Sequence, residues 1–313
     1  MNKLIKYLKK QKNENFLLST ICFKSLRFRR KRSLKLKDIE VINQQYNDAF
    51  GVYPDLKNPK TFYEKLNWLK LNYRNDLMPI VADKYKVHEY LRNKGYDKYL
   101  NEILGYWTDI KNFDPSELPT RFVLKATHAS GDGWNLIVKN KSDVNWSTFR
   151  LVMKEWLSQK IDWMGREWHY GGMTPGIICE KYLEDESGEL RDYKIHCFNG
   201  KPEMIYVCTG RYTGKKKKYY YSTDWQFLNN TIDSQAGLTV DQIQKPENLE
   251  KMLQLAAELS SPFPYVRVDF YNVNGKIYFG ELTFFDFAGF KSSFTAEAQL
   301  ELGQKLKLPE ANI

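Results

Sequence analysis

One segment, residues 264–284, constrains the fold more than any other part of the chain. Two runs rich in β-branched and aromatic residues flank the dipeptide Asn274-Gly275, which is the strongest short-range signal for a β-hairpin in a single sequence. Each run carries one acid, Asp269 in the first and Glu281 in the second. We therefore expect two paired antiparallel strands with one carboxylate on each.

The length of the hairpin loop decides whether the two carboxylates share a face. Side chains alternate along a strand, so Asp269 and Glu281 lie on one face only if paired residue numbers sum to an even value. That register needs a loop with an odd number of residues. A three-residue loop with Gly275 in the left-handed conformation would supply it, whereas a two-residue Asn-Gly turn would place the acids on opposite faces.

Two acids on one face of an apolar hairpin repel each other unless a cation lies between them. A hard divalent ion such as Mg²⁺ prefers carboxylate oxygens, so Asp269 and Glu281 predict a magnesium site. Ordinary hairpins also often carry one acid on each strand. Two exposed acids on the solvent face of a hairpin without a metal therefore stay an alternative.

The positive charge of the chain is concentrated at its N-terminus. Residues 1–37 hold thirteen lysines and arginines and one acid, which gives +12, whereas the whole chain of 313 residues carries +10 and the remainder therefore −2. A basic terminal segment attracts an anionic membrane leaflet or a nucleic acid. Because the rest of the chain is slightly acidic, we expect no nucleic-acid partner.

The first twelve residues resemble a membrane-surface helix in their pattern. Leu4, Ile5 and Leu8 stand at helical spacing among lysines, which is typical of an amphipathic helix, although a solvated basic extension fits the same residues. No segment approaches the roughly 20 apolar residues that cross a bilayer, and no small-residue cleavage site follows the apolar run 16–23. We expect a cytoplasmic protein, with peripheral binding to an anionic membrane surface through residues 1–36 as an open alternative.

Two segments carry lysines that could bind phosphate. Pro79 opens a predicted helix over about 80–93 that includes Lys84, and a strand over 121–125 ends in Lys125 before a small loop. Free N–H groups of such a loop can surround a polyphosphate while the lysine supplies charge. The loop is not a Walker loop, and a plain hairpin loop with a solvated lysine fits it as well. Its glycine-rich part contains Ser130, Gly131 and Gly133.

The order of these elements resembles the ATP-grasp superfamily, and more narrowly its TupA-like branch. The resemblance covers roughly residues 50–310 and includes nearly everything except the basic tail. That branch is named for teichuronopeptide biosynthesis and is associated with bacterial surface polysaccharides. The motifs that carry the resemblance are 82–87 (ADKYKV), 122–131 (FVLKATHASG), 192–200 (DYKIHCFNG), 267–271 (RVDFY) and 279–284 (FGELTF).

The resemblance implies an α+β fold of the ATP-grasp type, with two α+β lobes that grip the nucleotide between antiparallel sheets and a basic N-terminal helical tail. It also implies how the chain is divided. The predicted parts are a basic amphipathic tail (1–45), an N-terminal lobe of helices and α/β structure (46–118), a small lobe with the glycine loop and the hinge (119–183), and a C-terminal lobe with the metal site (184–313).

The resemblance implies roles for individual residues in binding ATP. Two lysines would hold the α- and β-phosphates and the glycine loop would close over the triphosphate. A hinge segment of four residues would read the adenine edge, and an aspartate would face the ribose. The two lysines are Lys84 and Lys125, and the glycine loop contains Ser130, Gly131 and Gly133. The hinge segment is Glu180, Lys181, Tyr182 and Leu183, and the aspartate is Asp192.

The same resemblance implies the catalytic and metal-binding residues. Lys194 and Arg267 would neutralise charge on the γ-phosphoryl group as it moves, because phosphoryl transfer is catalysed mainly by positioning and electrostatics. Asp269, Glu281 and Thr283 would bind one or two Mg²⁺ ions that also bridge the phosphates. Thr283 stands where the superfamily usually has an asparagine, so the number of metal ions stays open.

The implied reaction is an ATP- and Mg²⁺-dependent ligation of a carboxylate to an amine. The carboxylate attacks the γ-phosphorus to form an acyl phosphate, and the amine then displaces phosphate, so the protein needs no nucleophile of its own. The expected substrates are a uronic acid or similar carboxylate, as a small molecule or on a lipid-linked glycan, and an amino acid or other amine. A phosphotransferase stays open, as does a glycosyltransferase of the same pathway, although the sequence contains no Asp-x-Asp.

Overall fold

The computed structural model describes residues 15–131, 133–186, 190–210, 217–228, 243–290 and 294–312. The chain divides into two compact units, each built from two stretches: unit 1 comprises Met1–Lys37 and Leu77–Tyr182, and unit 2 comprises Asp38–Asp76 and Leu183–Ile313. Each unit contains one antiparallel sheet together with helices, so the predicted α+β class is confirmed. The division into four linear parts stays a prediction.

The helices are α1 (Phe16–Ser33), α2 (Asp38–Phe50), α3 (Phe62–Asn72), α4 (Met78–Ala82), α5 (Lys86–Asn93), α6 (Trp146–Ser158), α7 (Asp162–Gly165), α8 (Leu249–Ser260) and α9 (Ala296–Lys305). The strands are β1 (Ile103–Trp107), β2 (Phe122–Ala126), β3 (Asn135–Val138), β4 (Ile177–Lys181), β5 (Asp192–Phe198), β6 (Lys201–Thr209), β7 (Lys217–Tyr221), β8 (Tyr265–Val273) and β9 (Lys276–Thr283). In the described ranges, no helix has the length and apolar character needed to cross a membrane.

The sheet of unit 1 has the strand order β1-β4-β2-β3. Side chains alternate along β2, so Phe122, Leu124 and Ala126 are buried in the core while Lys125 points to the opposite, half-buried face. Trp156 of α6 is buried in the same core. The alternation therefore separates a packed face of the sheet from the face that carries the predicted phosphate-binding lysine.

Helix α1 belongs to unit 1 and packs along α6. Phe23 is buried in the core of this unit, and its carbonyl oxygen accepts a hydrogen bond from Gln159 Nε2 at 3.0 Å. Arg27 forms an ion pair with Glu155, with 2.5 Å between Nη2 and Oε2. Part of the predicted basic tail is thus a packed helix. The residues of the predicted N-terminal amphipathic helix, Leu4, Ile5 and Leu8, lie outside the described residues.

The sheet of unit 2 has the strand order β7-β6-β5-β8-β9 and two different faces. Buried aliphatic side chains such as Ile195 and Val268 occupy one face, and α8 packs there, with Cys197 Sγ 3.8 Å from the Ala256 carbonyl oxygen. Because neighbouring residues of a strand point to opposite faces, Lys194 and the other charged side chains of β5 and β8 lie on the face away from α8.

The β8–β9 hairpin places the two acids on one face without the odd-numbered loop that the sequence argument required. Its turn has two residues, Asn274 and Gly275, with φ of 50° and 77°, so the expectation that a shared face requires an odd loop is wrong. A register shift between Asp269 and Phe270 inserts one extra residue on β9 and pairs Asp269 with Glu281. A two-residue turn alone would place the two acids on opposite faces. The extra residue of the β-bulge shifts the pairing by one position, so the two acids lie on one face.

The helix predicted over about 80–93 is two helices, α4 and α5, which is a correction of the prediction. The chain breaks at Asp83, whose Oδ1 accepts hydrogen bonds from the N–H groups of Tyr85 and Lys86 at 2.9 and 3.0 Å. These bonds hold the chain in a turn between the two helices. Lys84 therefore lies in the break, where its N–H donates to the Thr127 carbonyl oxygen at 3.1 Å.

Candidate functional site

The two predicted metal-binding carboxylates meet on one face of the unit 2 sheet. Asp269 pairs directly with Glu281 across β8 and β9. The side chain of Asp269 is 2% exposed and that of Glu281 is 34% exposed. One carboxylate is therefore buried within the face, while the other is partly exposed to solvent.

Arg267 holds the buried carboxylate from the same strand. Its Nε and Nη2 donate to Asp269 Oδ1 and Oδ2 at 2.7 and 2.8 Å, which is a two-pronged contact. Its Nη1 donates to Asp286 Oδ1 at 2.5 Å, and Nη2 lies 3.7 Å from Glu281 Oε1. Burial alone would lower the pKa of Arg267, but the neighbouring carboxylates outweigh it and raise the pKa well above its ordinary value. Arg267 is thus a permanent cation.

Lys194 of β5 approaches the same carboxylate from the neighbouring strand, where it pairs with Asp269 in register. Its Nζ contacts Asp269 Oδ2 and lies 2.8 Å from Asp192 Oδ2. Burial alone would lower the pKa of Lys194, yet Asp192 and Asp269 outweigh burial and raise it. Lys194 therefore stays protonated at neutral pH and supplies charge rather than acting as a base.

Thr283, the third predicted metal ligand, pairs with Arg267 across the hairpin. Its hydroxyl oxygen accepts a hydrogen bond from Arg267 Nη2 at 3.2 Å. The contact places the threonine on the same face as Asp269 and Glu281 but directs its hydroxyl to the arginine. Its role as a metal ligand stays a prediction.

We define the charged cluster as Asp192, Lys194, Arg267, Asp269, Glu281 and Asp286. Four carboxylates and two cations leave the cluster with a formal excess of negative charge, which a divalent cation would neutralise. Over the described ranges, no three Asp, Glu, His or Cys side chains are arranged to hold a metal ion. Two carboxylates fit Mg²⁺, because proteins commonly bind it with one or two carboxylates together with the phosphates of a substrate.

In unit 1, Lys125 and Glu180 form an ion pair on adjacent strands. Lys125 Nζ lies 2.7 Å from Glu180 Oε2, and both side chains are largely buried. Burial alone would raise the pKa of Glu180, but the charge and hydrogen bond of Lys125, with contributions from His88 and Asn101, lower it below its ordinary value. The sheet thus holds a charged lysine beside the glycine loop.

Lys84 contacts that loop directly, because its Nζ donates to the Ala129 carbonyl oxygen at 2.5 Å. Gly131 and Gly133 have φ of +85° and +90°, a conformation that favours glycine. The Gly133 carbonyl oxygen accepts a hydrogen bond from Trp156 Nε1 at 3.0 Å, which fixes this end of the loop to α6. The structure therefore brings Lys84 and the loop together, with Ser130 and Gly131 exposed at its tip.

The hinge segment follows β4. The N–H of Lys181 donates to the Glu102 carbonyl oxygen at 3.0 Å, and the Lys181 carbonyl oxygen accepts from Asn101 Nδ2 at 2.9 Å. The Arg121 guanidinium lies over the Tyr182 ring, 4.3 Å from its centroid. The main chain of Lys181 thus forms its hydrogen bonds within unit 1, and the second stretch of unit 2 begins at Leu183.

Two residues near the charged cluster were not predicted from the sequence. Asp286 binds Arg267 and is buried, and the signal that could have found it is an acid flanked by phenylalanines, since a buried carboxylate requires a partner. His196 lies on the face of Lys194, and its Nδ1 is 2.9 Å from the Tyr265 hydroxyl. Burial lowers the pKa of His196 to about 4, so the ring is neutral at pH 7.

The chain is similar to known proteins at the levels of family and fold. The family model for TupA-like ATPgrasp matches residues 64–307. No curated protein is detectably similar in sequence.

Three solved structures illustrate the similarity in fold. The D-alanine–D-alanine ligase from Bacillus anthracis is 17% identical, with 72% of this chain and 67% of that chain covered and a TM-score of 0.39. The D-alanine–D-alanine ligase from Helicobacter pylori is 12% identical, with 79% and 69% covered and a TM-score of 0.41. The ATP-grasp ligase PsnB, complexed with its minimal precursor, Mg and ADP, is 12% identical, with 78% and 66% covered and a TM-score of 0.41.

The match to the family model spans most of the chain, from α3 to just beyond α9. It includes the Lys84 segment, the glycine loop and the β8–β9 hairpin, which are the motifs on which the sequence-based resemblance rested. The predicted superfamily, branch and fold are therefore confirmed. The chain belongs to the TupA-like ATP-grasp family.

Proposed function

We propose that the protein is an ATP- and Mg²⁺-dependent carboxylate–amine ligase that works through an acyl phosphate. The observation that carries this proposal is the charged cluster, in which Arg267 and Lys194 flank the paired acids Asp269 and Glu281 on one face of the sheet. A carboxylate substrate is already ionised at neutral pH, so its attack on the γ-phosphorus needs positive charge near the phosphoryl group and no general base.

The chain's own residues supply that charge. Arg267 and Lys194 have raised pKa values and remain cations throughout the neutral range, so they stabilise the charge of the γ-phosphoryl group as it moves. Asp269 and Glu281 would hold Mg²⁺, which supplies further neutralisation of the phosphates. ADP leaves as the carboxylate oxygen bonds to the γ-phosphorus. The amine then attacks the acyl carbon, phosphate leaves, and the proton lost by the attacking amine passes to solvent.

For the nucleotide, we assign Lys84, Lys125 and the glycine loop to the phosphates. The ion pair of Lys125 with Glu180 and the bond of Lys84 to the loop support this assignment, because they hold two cations beside N–H groups of the loop. Both main-chain groups of Lys181 are engaged by neighbours. We therefore place the adenine edge against Tyr182 and Leu183, and the ribose near Asp192.

For the substrate, we propose a uronic acid or similar carboxylate of a bacterial surface polysaccharide precursor, joined to an amino acid or another amine. The membership of the TupA-like branch supports this choice, because the branch is associated with such polysaccharides. A hydroxyl acceptor in place of the carboxylate would make the protein a phosphotransferase.

One screen separates these reactions. Purified protein is incubated with MgATP and pairs of uronic acids and amino acids, and phosphate release is measured together with the products. A ligase requires both the acid and the amine, whereas a stable phosphorylated product without an amine indicates a phosphotransferase. Asp269→Asn and Glu281→Gln should abolish the release, and Asp224→Asn, at an exposed position of unit 2, should not. Release that persists in both site variants contradicts the metal site.

We also infer that the N-terminal segment 1–36 holds the enzyme at an anionic membrane surface. The outer face of α1 carries Leu17, Ile21 and Phe28, which are 54%, 64% and 68% exposed and lie within about 40° of one another around the helix. The helix contains no acid. Apolar side chains surrounded by cations fit a surface of anionic lipid. The exposed cations on this helix are Lys24, Arg27, Arg29, Lys31 and Arg32.

Point substitutions test membrane binding better than truncation, because removal of α1 would also take Phe23 from the core of unit 1. The double variant Ile21→Ser, Phe28→Ser should bind phosphatidylglycerol vesicles at least about tenfold more weakly, since each side chain loses its apolar transfer energy. Leu151→Ser, at an exposed position of α6, is the matched control. Unchanged vesicle binding by the double variant contradicts the inference.

A further inference from the structure

The Arg267 guanidinium donates hydrogen bonds to two carboxylates that have different surroundings. Asp269 accepts hydrogen bonds from Nε and Nη2 and is predicted to bind the metal. Asp286 accepts a hydrogen bond from Nη1 at 2.5 Å and has no predicted role in metal binding. Asp286 is 1% exposed and lies beyond the end of β9. The guanidinium is therefore held from two sides, and one of its two anchors lies off the β8–β9 hairpin.

The backbone that carries Asp286 has an uncommon conformation. Phe287, Ala288 and Gly289 all have positive φ, at 48°, 51° and 68°. Left-handed backbone is unfavourable for an L-residue that has a Cβ atom, and such conformations persist only where the surroundings enforce them. The turn Asp286–Gly289 therefore needs contacts that hold it.

Two buried side chains of α3 supply those contacts. Asn67 Nδ2 donates to the Gly289 carbonyl oxygen at 2.9 Å, and Lys70 Nζ donates to the Ala288 carbonyl oxygen at 2.5 Å. Lys70 Nζ also lies 3.9 Å from the centroid of the Phe290 ring, a favourable cation–π distance. A helix outside the charged cluster thus fixes the turn that presents Asp286.

We propose that Asp286 is a positioning residue that keeps the Arg267 guanidinium directed at the transferred phosphoryl group, and that Asn67 and Lys70 hold Asp286 in place. The proposal rests on the proposed ATP-dependent reaction. Its physical basis is charge: a divalent ion on Asp269 and Glu281 would repel Arg267, and in the described part of the chain the other hydrogen-bond and ion-pair partners of its side chain are those same two acids and Thr283. Asp286 accepts a hydrogen bond from Nη1 on the opposite edge of the guanidinium, so Arg267 keeps one charged anchor when the metal weakens its contacts with Asp269.

The test compares affinities for MgATP and MgADP, because only MgATP carries the γ-phosphoryl group. Calorimetry gives the ratio of the two dissociation constants in wild type, Asp286→Asn and Asp286→Ala. Hydrogen bonds to charged groups contribute about 1.5–3 kcal/mol, so we expect the preference for MgATP to fall about tenfold or more in Asp286→Asn. Affinity for MgADP should change little, because Arg267 is assigned to the γ-phosphoryl group alone.

Two further variants protect the test from a folding defect. Lys70→Met keeps the length of the side chain but removes the donor to Ala288, and it should lower the same ratio by a smaller factor. Asp224→Asn, at an exposed position in unit 2, should leave the ratio unchanged. If Asp286→Ala does not fold, Asp286→Asn and Lys70→Met still decide the question.

The outcomes separate this proposal from the proposed function. Wild-type protein that binds neither nucleotide contradicts both. Wild-type protein that binds and consumes MgATP, together with an Asp286→Asn variant whose ratio equals that of wild type, overturns only the positioning role. A variant that loses MgADP and MgATP affinity equally also overturns it, because that result indicates general damage to the site.

Discussion

Gly280 faces the main chain of Asp269 so closely that a Cβ atom at position 280 would lie 2.9 Å from the Asp269 carbonyl oxygen. Gly280 stands at the register shift that separates the pairing of Asp269 with Glu281 from the pairing of Phe270 with Phe279. The alignment of the two acids therefore depends on a residue that has no side chain. The bulge and its glycine are as necessary to the geometry as the carboxylates.

Gly280→Ala should disturb both stability and metal-nucleotide binding. Overpacking at a closely packed position costs about 1–3 kcal/mol, and relief of the clash moves Glu281 away from Asp269. We expect a lower urea midpoint and weaker binding of MgADP by calorimetry. Gly172→Ala is the control, because a Cβ atom at Gly172 has no neighbour within 4 Å. If both variants behave like wild type, the bulge does not set the spacing of the acids.

Arg267→Lys should remove most of the activity although it keeps the charge. Lysine is a point charge and cannot donate to both oxygens of Asp269 and to Asp286 with one planar group. Removing a donor preorganised for charge that develops in a reaction lowers kcat about 10²- to 10³-fold. Turnover of MgATP with the identified substrates measures the effect, and Arg92→Lys at an exposed position of α5 is the control. Activity retained by Arg267→Lys would show that charge alone suffices.

The ion pair of Lys125 with Glu180 predicts a pH dependence of stability. The pKa of Glu180 is lowered in the folded protein, so the carboxylate stabilises the fold at pH values above its unfolded pKa of about 4.3. That stabilisation is lost as the pH falls through the folded pKa. Glu180→Gln should therefore lower Tm at pH 7 and match wild type more closely as the pH approaches 3.

Glu180→Gln lowers stability because it removes the charged acceptor that lies 2.7 Å from Lys125 Nζ, and a hydrogen bond between charged groups contributes about 1.5–3 kcal/mol. Thermal unfolding monitored by circular dichroism between pH 7 and pH 3 gives the comparison. Glu117→Gln, at an exposed position of unit 1, controls for the loss of a carboxylate. A difference in Tm between wild type and Glu180→Gln that grows as the pH falls would contradict a stabilising ion pair between Lys125 and Glu180.

Local patterns in the sequence predicted the elements of the charged cluster but not its complete geometry. The Asn274-Gly275 signal identified the hairpin and its turn, because turn preferences act over a few residues. The register was missed, since the bulge at Gly280 arises from packing of β9 against β8 and has no signature in the turn. In the same way, the sequence gives no sign that Asp83 interrupts the helix, because the bonds from the Tyr85 and Lys86 N–H groups to its side chain appear only in the structure.

Contacts between distant parts of the chain could not be predicted at all. Asp286 is isolated in an apolar run, and Arg267 reaches it across 19 residues. In the sequence, Lys70 and Asn67 are indistinguishable from the solvent-facing polar residues of an amphipathic helix. In the structure, both are buried against a turn that lies more than two hundred residues farther along the chain. Such pairs follow from the tertiary fold, which periodicity and spacing do not encode.

Removal of Mg²⁺ should abolish most of the stabilisation that ADP confers. A ligand that binds only the folded state adds RT ln(1 + [L]/Kd), about 2.7 kcal/mol at a concentration of one hundred Kd. Because Asp269 and Glu281 repel phosphate oxygens without a cation between them, ADP should raise Tm clearly in MgCl₂ and little in EDTA.

Glu281→Gln should lose most of the ADP-induced rise in Tm in MgCl₂, since it removes the partly exposed carboxylate proposed to bind Mg²⁺. Glu301→Gln, on the surface of α9, should retain the rise. An ADP-induced rise in Tm that is equal in EDTA and MgCl₂ would mean that Asp269 and Glu281 do not bind a metal ion. The nucleotide would then have to be held by lysines alone.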